Sequence, residues 1–177
     1  MIIRFLNKQD ATFYSQLKKM ALQESLYAFS DSFQDEINKS LVDYENEIEM
    51  KGVPLEKFAL GAFSDSNQLI GFVKFTRDQR TKARHRSSLH SLYIAPEYRN
   101  IGIAKLLMNE LIAQAKLLPD LEQLQLSVII SPKYSVVKFY ELFDFKILGS
   151  LIVDDLIIEG NYVDAVNMVK YLKQDLI

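Results

Sequence analysis

The sequence predicts an α/β (α+β) fold in one domain spanning residues 1–177. Three observations carry that expectation. Short apolar runs such as Leu124 to Ile130 are bounded by turn residues, as buried strands are. Between such runs, Ile103, Leu107 and Leu111 form one row and Ala104, Met108 and Ala115 a neighbouring one, which is the spacing of a helix face. And 177 residues, 49% hydrophobic and 25% charged, suffice for one core without disulfides or metals.

Taken in order, Ile2 to Leu6 reads as an opening strand, and Asn7 to Asp10 as turn and helix-capping residues. Ala11 to Leu26 reads as a helix through apolar Phe13, Leu17, Met20 and Ala21. A second helix is expected from Leu41 to Met50, and the stretch between the two has no clear pattern. Phe58 to Phe63 and Leu69 to Phe75 form a hairpin about Ser64-Asp-Ser-Asn67. Arg77 to Arg86 is a basic loop, Ser88 to Ala95 a strand closed by Pro96, and Ile103 to Leu118 a helix stopped by Pro119. After the strand from Leu124, Ser131-Pro132 is a helix start, followed by Val136, Phe139, Tyr140 and Phe143 at helical spacing. Two strands end the chain, about Lys146 to Ile158 and Tyr162 to Leu172, with Glu159-Gly-Asn161 as their turn. The order is β-α-α-β-β-β-α-β-α-β-β.

Composition removes several chemistries. There is no cysteine, hence no disulfide, thiolate metal site or cysteine nucleophile, and a reducing cytoplasm fits. Two histidines, His85 and His90, are too few for a histidine-rich metal site, so no metal is expected. A formal net charge of −2 gives no global reason to expect nucleic acid as a partner. The N-terminus lacks a signal-peptide stretch, and no run approaches a membrane span. The five cations at Arg77, Arg80, Lys82, Arg84 and Arg86 lack interleaved aromatics, which weakens a nucleic-acid reading.

The most informative segment runs from His90 to Met108. A strand passes through a short turn, Arg99-x-x-Gly102-x-Ala104, straight into a helix. Such a junction presents unpaired backbone N–H groups and the positive end of a helix dipole, a site for a pyrophosphate. Gly102 removes the Cβ that would block close approach, and Arg99 or Lys105 can add a cation. On its own the hexapeptide also fits a helix that begins with small residues for packing.

Its surroundings favour the first reading. The segment resembles the acetyl-CoA-binding signature of the GNAT (GCN5-related) N-acetyltransferase family, Q/R-x-x-G-x-G/A. Leu126 to Ile130 resembles that family's fifth strand, Lys138 to Phe145 its Y-E-x-x-G-F segment, and Ile158 to Met168 its closing hairpin. The resemblance implies a mixed, mostly antiparallel sheet of about seven strands flanked by about four helices, with a splay between the fourth and fifth strands. It also implies acetyl-CoA as cosubstrate, a small-molecule or peptide amine as acceptor, no membrane, and homodimers, which are common in the family. Asn100 stands where glycine is common, Lys133 where asparagine often begins the fourth helix, and Asp144 where glycine precedes phenylalanine.

By that resemblance the cofactor-binding residues are Leu92, Tyr93 and Ile94 on the fourth strand and Arg99, Asn100, Ile101, Gly102, Ile103, Ala104 and Lys105 in the turn and helix start. Tyr140 matches the tyrosine that can protonate the departing sulfur. Ser88, His90 and Leu92 alternate and should share one face of the strand. His90 is the titrating candidate for a base near that point, with a water chain as the other route. The expected reaction is direct attack of the amine on the thioester, and the alternative is a non-catalytic acyl-CoA-binding or sensor module of the same fold. Eight acidic residues between Glu24 and Glu49, against Lys39 alone, suggest a negative field and a cationic acceptor.

Overall fold

In the structure, a computed structural model that describes residues 1–52, 55–130 and 136–172, the strands form one sheet with helices on both faces. The first strand, β1 (Ile2–Phe5), leads through a 3-10 turn capped by Asn7 into α1 (Ala11–Glu24). Two helices capped by serines follow, the short α2 (Phe33–Ile37) and α3 (Leu41–Ile48). Strands β2 (Lys57–Phe63), β3 (Leu69–Arg77) and β4 (Arg86–Ile94) precede α4 (Ile103–Lys116). Then come β5 (Gln123–Ile129), α5 (Val136–Glu141), β6 (Lys146–Ile147), β7 (Ile152–Ile158) and β8 (Asn161–Tyr171). The expected helix start at Ser131-Pro132, with Lys133, lies outside the described residues.

The sheet order is β1-β2-β3-β4-β5-β8-β6, with β7 also on β8. Every pair is antiparallel except β4 and β5. The sheet thus has eight strands where about seven are expected. The expected strand from Lys146 to Ile158 is two, because Gly149 turns the chain at φ +82° between them. The fifth described helix is α2, whose five residues are too few to show a helical period.

Two apolar clusters lie on opposite faces of the sheet. Leu107, Met108, Leu111 and Ala115 of α4 pack with Phe58, Leu60, Phe75 and Leu126, and Tyr140 of α5 joins them. On the other face, Tyr14, Leu17 and Ala21 of α1 and Tyr44 and Ile48 of α3 pack on Phe72 and Tyr93. The buried stripe of α1 differs from the expected one. Phe13 and Met20 are exposed, whereas Tyr14 and Lys18 face inward. Lys18 is only 1% exposed, yet sits on the stripe that a helical pattern of apolar residues would fill.

Lys18 is accepted there because carboxylates surround it. Its Nζ lies 2.8 Å from Glu47, 3.2 Å from Glu36 and 3.2 Å from Asp31. Tyr14 donates to Glu47 at 2.7 Å, and Lys74 also pairs with it. Burial alone would lower the Lys18 ammonium pKa, but Glu47, Asp31 and Glu36 outweigh it and raise it. Burial opposes ionisation of Glu47, and Lys74 and Lys18 overcome it, holding the carboxyl well below its ordinary range. Removing one partner of a buried pair leaves the others uncompensated, so Lys18→Met should lower unfolding stability by about 3–5 kcal/mol in denaturant titrations. The depressed carboxyl of Glu47 stabilises the fold above its unfolded pKa, about 4.3, and this is lost as pH falls through the folded value. The deficit of Lys18→Met should therefore persist from pH 7 to about pH 4.5 and shrink below it.

Candidate active site

The parallel ladder of β4 and β5 lasts for three residue pairs, Arg86 with Gln123, Ser87 with Leu124 and Ser88 with Gln125. Beyond Ser88 the strands have no mutual pairing, and a cleft of about 940 Å³ opens there. On β4 the break coincides with a bulge. His90 pairs with Lys74 and Tyr93 with Phe72, so Ser91 and Leu92 together oppose Val73 alone, and Ser91 has φ +57°. An extra residue reverses the alternation of side chains. Leu92 consequently packs with the α4 cluster, whereas Tyr93 joins the α1 cluster. The expectation that His90 and Leu92 share a face is thus incorrect. His90 lies on the face of Lys74 and Tyr93, toward α1 and α3, and still lines the cleft.

At one mouth of the cleft is the start of α4. Gly102 has φ +91°, and a Cβ built on it would meet no protein atom within 4 Å. Its glycine is required by the backbone angle, and the space beside it is open. The amides of residues 100 to 105 have no hydrogen-bond acceptor among the described residues, and no side chain caps the helix. Asn100 adopts φ +63°, which asparagine tolerates, so it turns the loop in place of a glycine. Asp144 likewise sits at φ +61°.

The other expected cofactor residues fall in three groups. Leu92, Tyr93, Ile94, Ile103, Ala104 and Lys105 line the cleft, with Lys105 exposed and without an ion pair among the described residues. Ile101 is 68% exposed and does not line it. Arg99 lines it, but its charge is committed elsewhere. Its guanidinium makes two bonds to Glu24 at 2.9 and 2.6 Å, and its Nε donates to the Ile94 carbonyl at 2.9 Å. The Tyr93 hydroxyl also donates to Glu24, at 3.2 Å. Burial and Glu24 push the Tyr93 pKa up to about 12. Of the two cations expected near a pyrophosphate, Lys105 is the free one.

Tyr140 closes the same face of the cleft. It is buried between Phe139 and Phe145, and its hydroxyl has no hydrogen-bond partner among the described residues. Burial raises its pKa, so it holds its proton at neutral pH. At the opposite mouth, the segment after α1 contributes Phe29, Ser30 and Asp31 beside His90. Burial, then Lys74, lowers the His90 pKa against a smaller opposing effect of Asp31, so the imidazole is neutral at pH 7. An irregularity between Ile152 and Leu156 of β7 brings Asp155 and Leu156 to the rim. Sequence reading named Asp31 only as part of the acidic run and missed Asp155 as a cleft residue and Glu24 as the partner of Arg99, and no local pattern marks these places.

Most of the acidic run from Glu24 to Glu49 is paired with cations, which weakens the expected negative field. Glu24 pairs with Arg99, Asp31, Glu36 and Glu47 with Lys18, and Glu49 with Lys8 and Lys51. Asp35, Asp43 and Glu45 have no ion pair among the described residues, and the first two engage the capping serines Ser32 and Ser40. The cations come from other parts of the chain. In the basic loop Arg77 and Arg84 share Glu56, and Arg80 and Arg86 share Asp78.

The family model described as acetyltransferase (GNAT) family matches residues 17–145. No curated protein sequence matches the chain significantly. Among solved structures, a GNAT-family acetyltransferase from Streptococcus pneumoniae is similar at 26% identity and a TM-score of 0.82, covering 97% of this chain and 99% of that one. The ribosomal-protein-alanine N-acetyltransferase of Brucella melitensis is similar in fold at 19% identity and a TM-score of 0.77, covering 97% and 99%. A phosphinothricin acetyltransferase from Sinorhizobium meliloti, in complex with AcCoA, is similar in fold at 17% identity and a TM-score of 0.76, covering 96% and 87%.

The Glu24 clamp generates a test. It ties the end of α1 to the loop before α4, so without it the loop must be ordered when a ligand binds. Both side chains are over one-third exposed, so the pair is worth no more than about 1 kcal/mol. Glu24→Gln should raise the calorimetric Kd for acetyl-CoA about three- to fivefold, while Glu49→Gln, which breaks a pair far from the loop, should leave it unchanged.

Proposed function

The chain belongs to the GNAT acetyltransferase family, and from that premise we propose that it transfers the acetyl group of acetyl-CoA to a primary amine by direct attack. The observation that carries the proposal is a cleft through a parted sheet, with unfilled helix amides and a protonated tyrosine toward one face and a neutral histidine toward the other. Bound acetyl-CoA would supply the thioester carbonyl and the sulfur leaving group.

The chain's own residues have separate tasks. The amides of residues 100 to 105 and Lys105 hold the pyrophosphate, for which the open space beside Gly102 and the end of the α4 dipole are suited. The edge of β4 from His90 to Ile94, free of β5, offers backbone groups to the pantetheine and polarises the carbonyl. Ile101 contributes through its amide, since its exposed side chain does not line the cleft. His90 takes a proton from the incoming ammonium, leaving the lone pair that forms the new N–C bond. As the C–S bond breaks, Tyr140 gives its proton to the sulfur, and the second proton shed by the attacking nitrogen returns through water to the Tyr140 oxygen. Arg99 positions the loop through Glu24 and the Ile94 carbonyl.

Cofactor binding is tested by thermal shift. At a hundredfold excess over Kd, acetyl-CoA should stabilise the protein by about 2.7 kcal/mol. Gly102→Val should abolish the shift, because a β-branched residue resists φ +91° and fills the open space. A folded Gly102→Val protein with the full shift would refute the pyrophosphate site.

The proton roles separate by pH. Tyr140→Phe should lower kcat by about 10- to 1,000-fold at every pH, with acetyl-CoA affinity nearly kept. His90→Gln should lose activity mainly near neutral pH and recover as pH approaches the amine's own pKa, where solution delivers the free base. If His90→Gln lacks this recovery, or matches wild type near pH 7, a water chain carries the proton.

A further inference from the structure

The cleft continues past His90. Asp31, His90 and Ser91 also line a smaller recess of about 300 Å³, whose far walls carry Lys57, Lys74, Glu47 and Thr76. Its two carboxylates are already matched. Glu47 accepts from Tyr14 and pairs with Lys18, Lys39 and Lys74, and Asp31 pairs with Lys18.

Lys57 is the exception. Its ammonium donates to the Asn46 carbonyl at 2.6 Å and has no carboxylate within ion-pair distance among the described residues. Burial, then Lys51 and Lys74, lowers its pKa against smaller opposing effects of Glu49 and Glu47. The Thr76 and Ser91 hydroxyls, on the same walls, have no hydrogen-bond partner among the described residues. A recess whose two carboxylates are paired with other lysines, and which keeps one ammonium without an ion pair and spare hydroxyl donors, is suited to an anion.

We propose that this recess is a subsite for a carboxylate carried by the acceptor, so that the preferred acceptor is an amine of amino-acid type. The proposal rests on the acetyltransferase reading. The amine lies beside His90 and Asp31, and the carboxylate a few bonds away reaches Lys57, with Lys74 behind it. Acid and amine therefore enter the same opening, one past the other. A polycation would set a further positive charge against Lys57 and Lys74.

The test pairs each acid with its own uncharged analogue. The full chain with acetyl-CoA is assayed for released CoA thiol against glycine, β-alanine, 4-aminobutyrate and glutamate, their carboxamides, and spermidine. The best acid should exceed its carboxamide in kcat/KM by about tenfold or more, chiefly through KM, as for a charged hydrogen bond lost. In Lys57→Gln that ratio should fall to within about threefold of unity, and Lys57→Arg should restore most of it. The wild-type ratio stands without any variant. Carboxamides or spermidine used as well as the acids would overturn the subsite and leave acetyl transfer standing. So would an unchanged ratio in a Lys57→Gln protein of wild-type melting temperature. A protein that binds acetyl-CoA yet acetylates no member of the panel would overturn the subsite, and one that also acetylates no peptide or other primary amine would overturn the acetyltransferase reading.

Discussion

The molecule is organised around a ladder that stops. Strands β4 and β5 run parallel for three residue pairs and then separate. A sheet normally continues such a pairing, because each unpaired N–H and C=O group has a cost when removed from water. Here the cost is localised to one short stretch of β4, and the return is a passage between the two faces of the sheet. The bulge at Ser91 and Leu92 then reverses the alternation, so that His90 and Tyr93 share one face while Leu92 takes the other, and one strand serves both ends of the passage. The packing of α4 and α5 on one face and α1 and α3 on the other keeps those ends apart.

What could be read in the sequence was what local rules dictate. The glycine turn into α4 is legible because a positive φ and a helix start each demand particular residues, and Gly102 and Ile103 satisfy both. The α4 core stripe is legible because Leu107, Met108 and Leu111 are apolar and regularly spaced. The inward face of α1 was not, because Lys18 looks like a solvent residue until Glu36 and Glu47 are brought to it from other helices. The same blindness made the acidic stretch look like an open field. Charge read along the chain omits Lys8, Lys51, Lys74 and Arg99, which arrive only on folding. The reversal of His90 relative to Leu92 also depends on a cross-strand register that no single strand encodes.

Fold likeness and site chemistry carry different information. The relatives in complex with AcCoA or acting on ribosomal-protein alanine share this fold at under 20% identity, which says little about side chains in the acceptor recess. In this chain the recess is a product of the segment after α1, of α3 and of strands β2, β3 and β4, most of it from the part of the sequence with no motif. Its character therefore rests on the balance of lysines and carboxylates within it.

The Glu24–Arg99 pair bears on how such a protein can change. One partner ends α1, and the other begins the loop that precedes α4, 75 residues away. The N-terminal third and the glycine turn are thus not independent modules. A lineage or an engineer exchanging the first two helices to alter acceptor choice would also inherit or lose a carboxylate beside the turn. Grafts that retain an acid at position 24 carry both functions together. Those that do not would have to restore the loop's order by other contacts before a new specificity could be expressed as turnover.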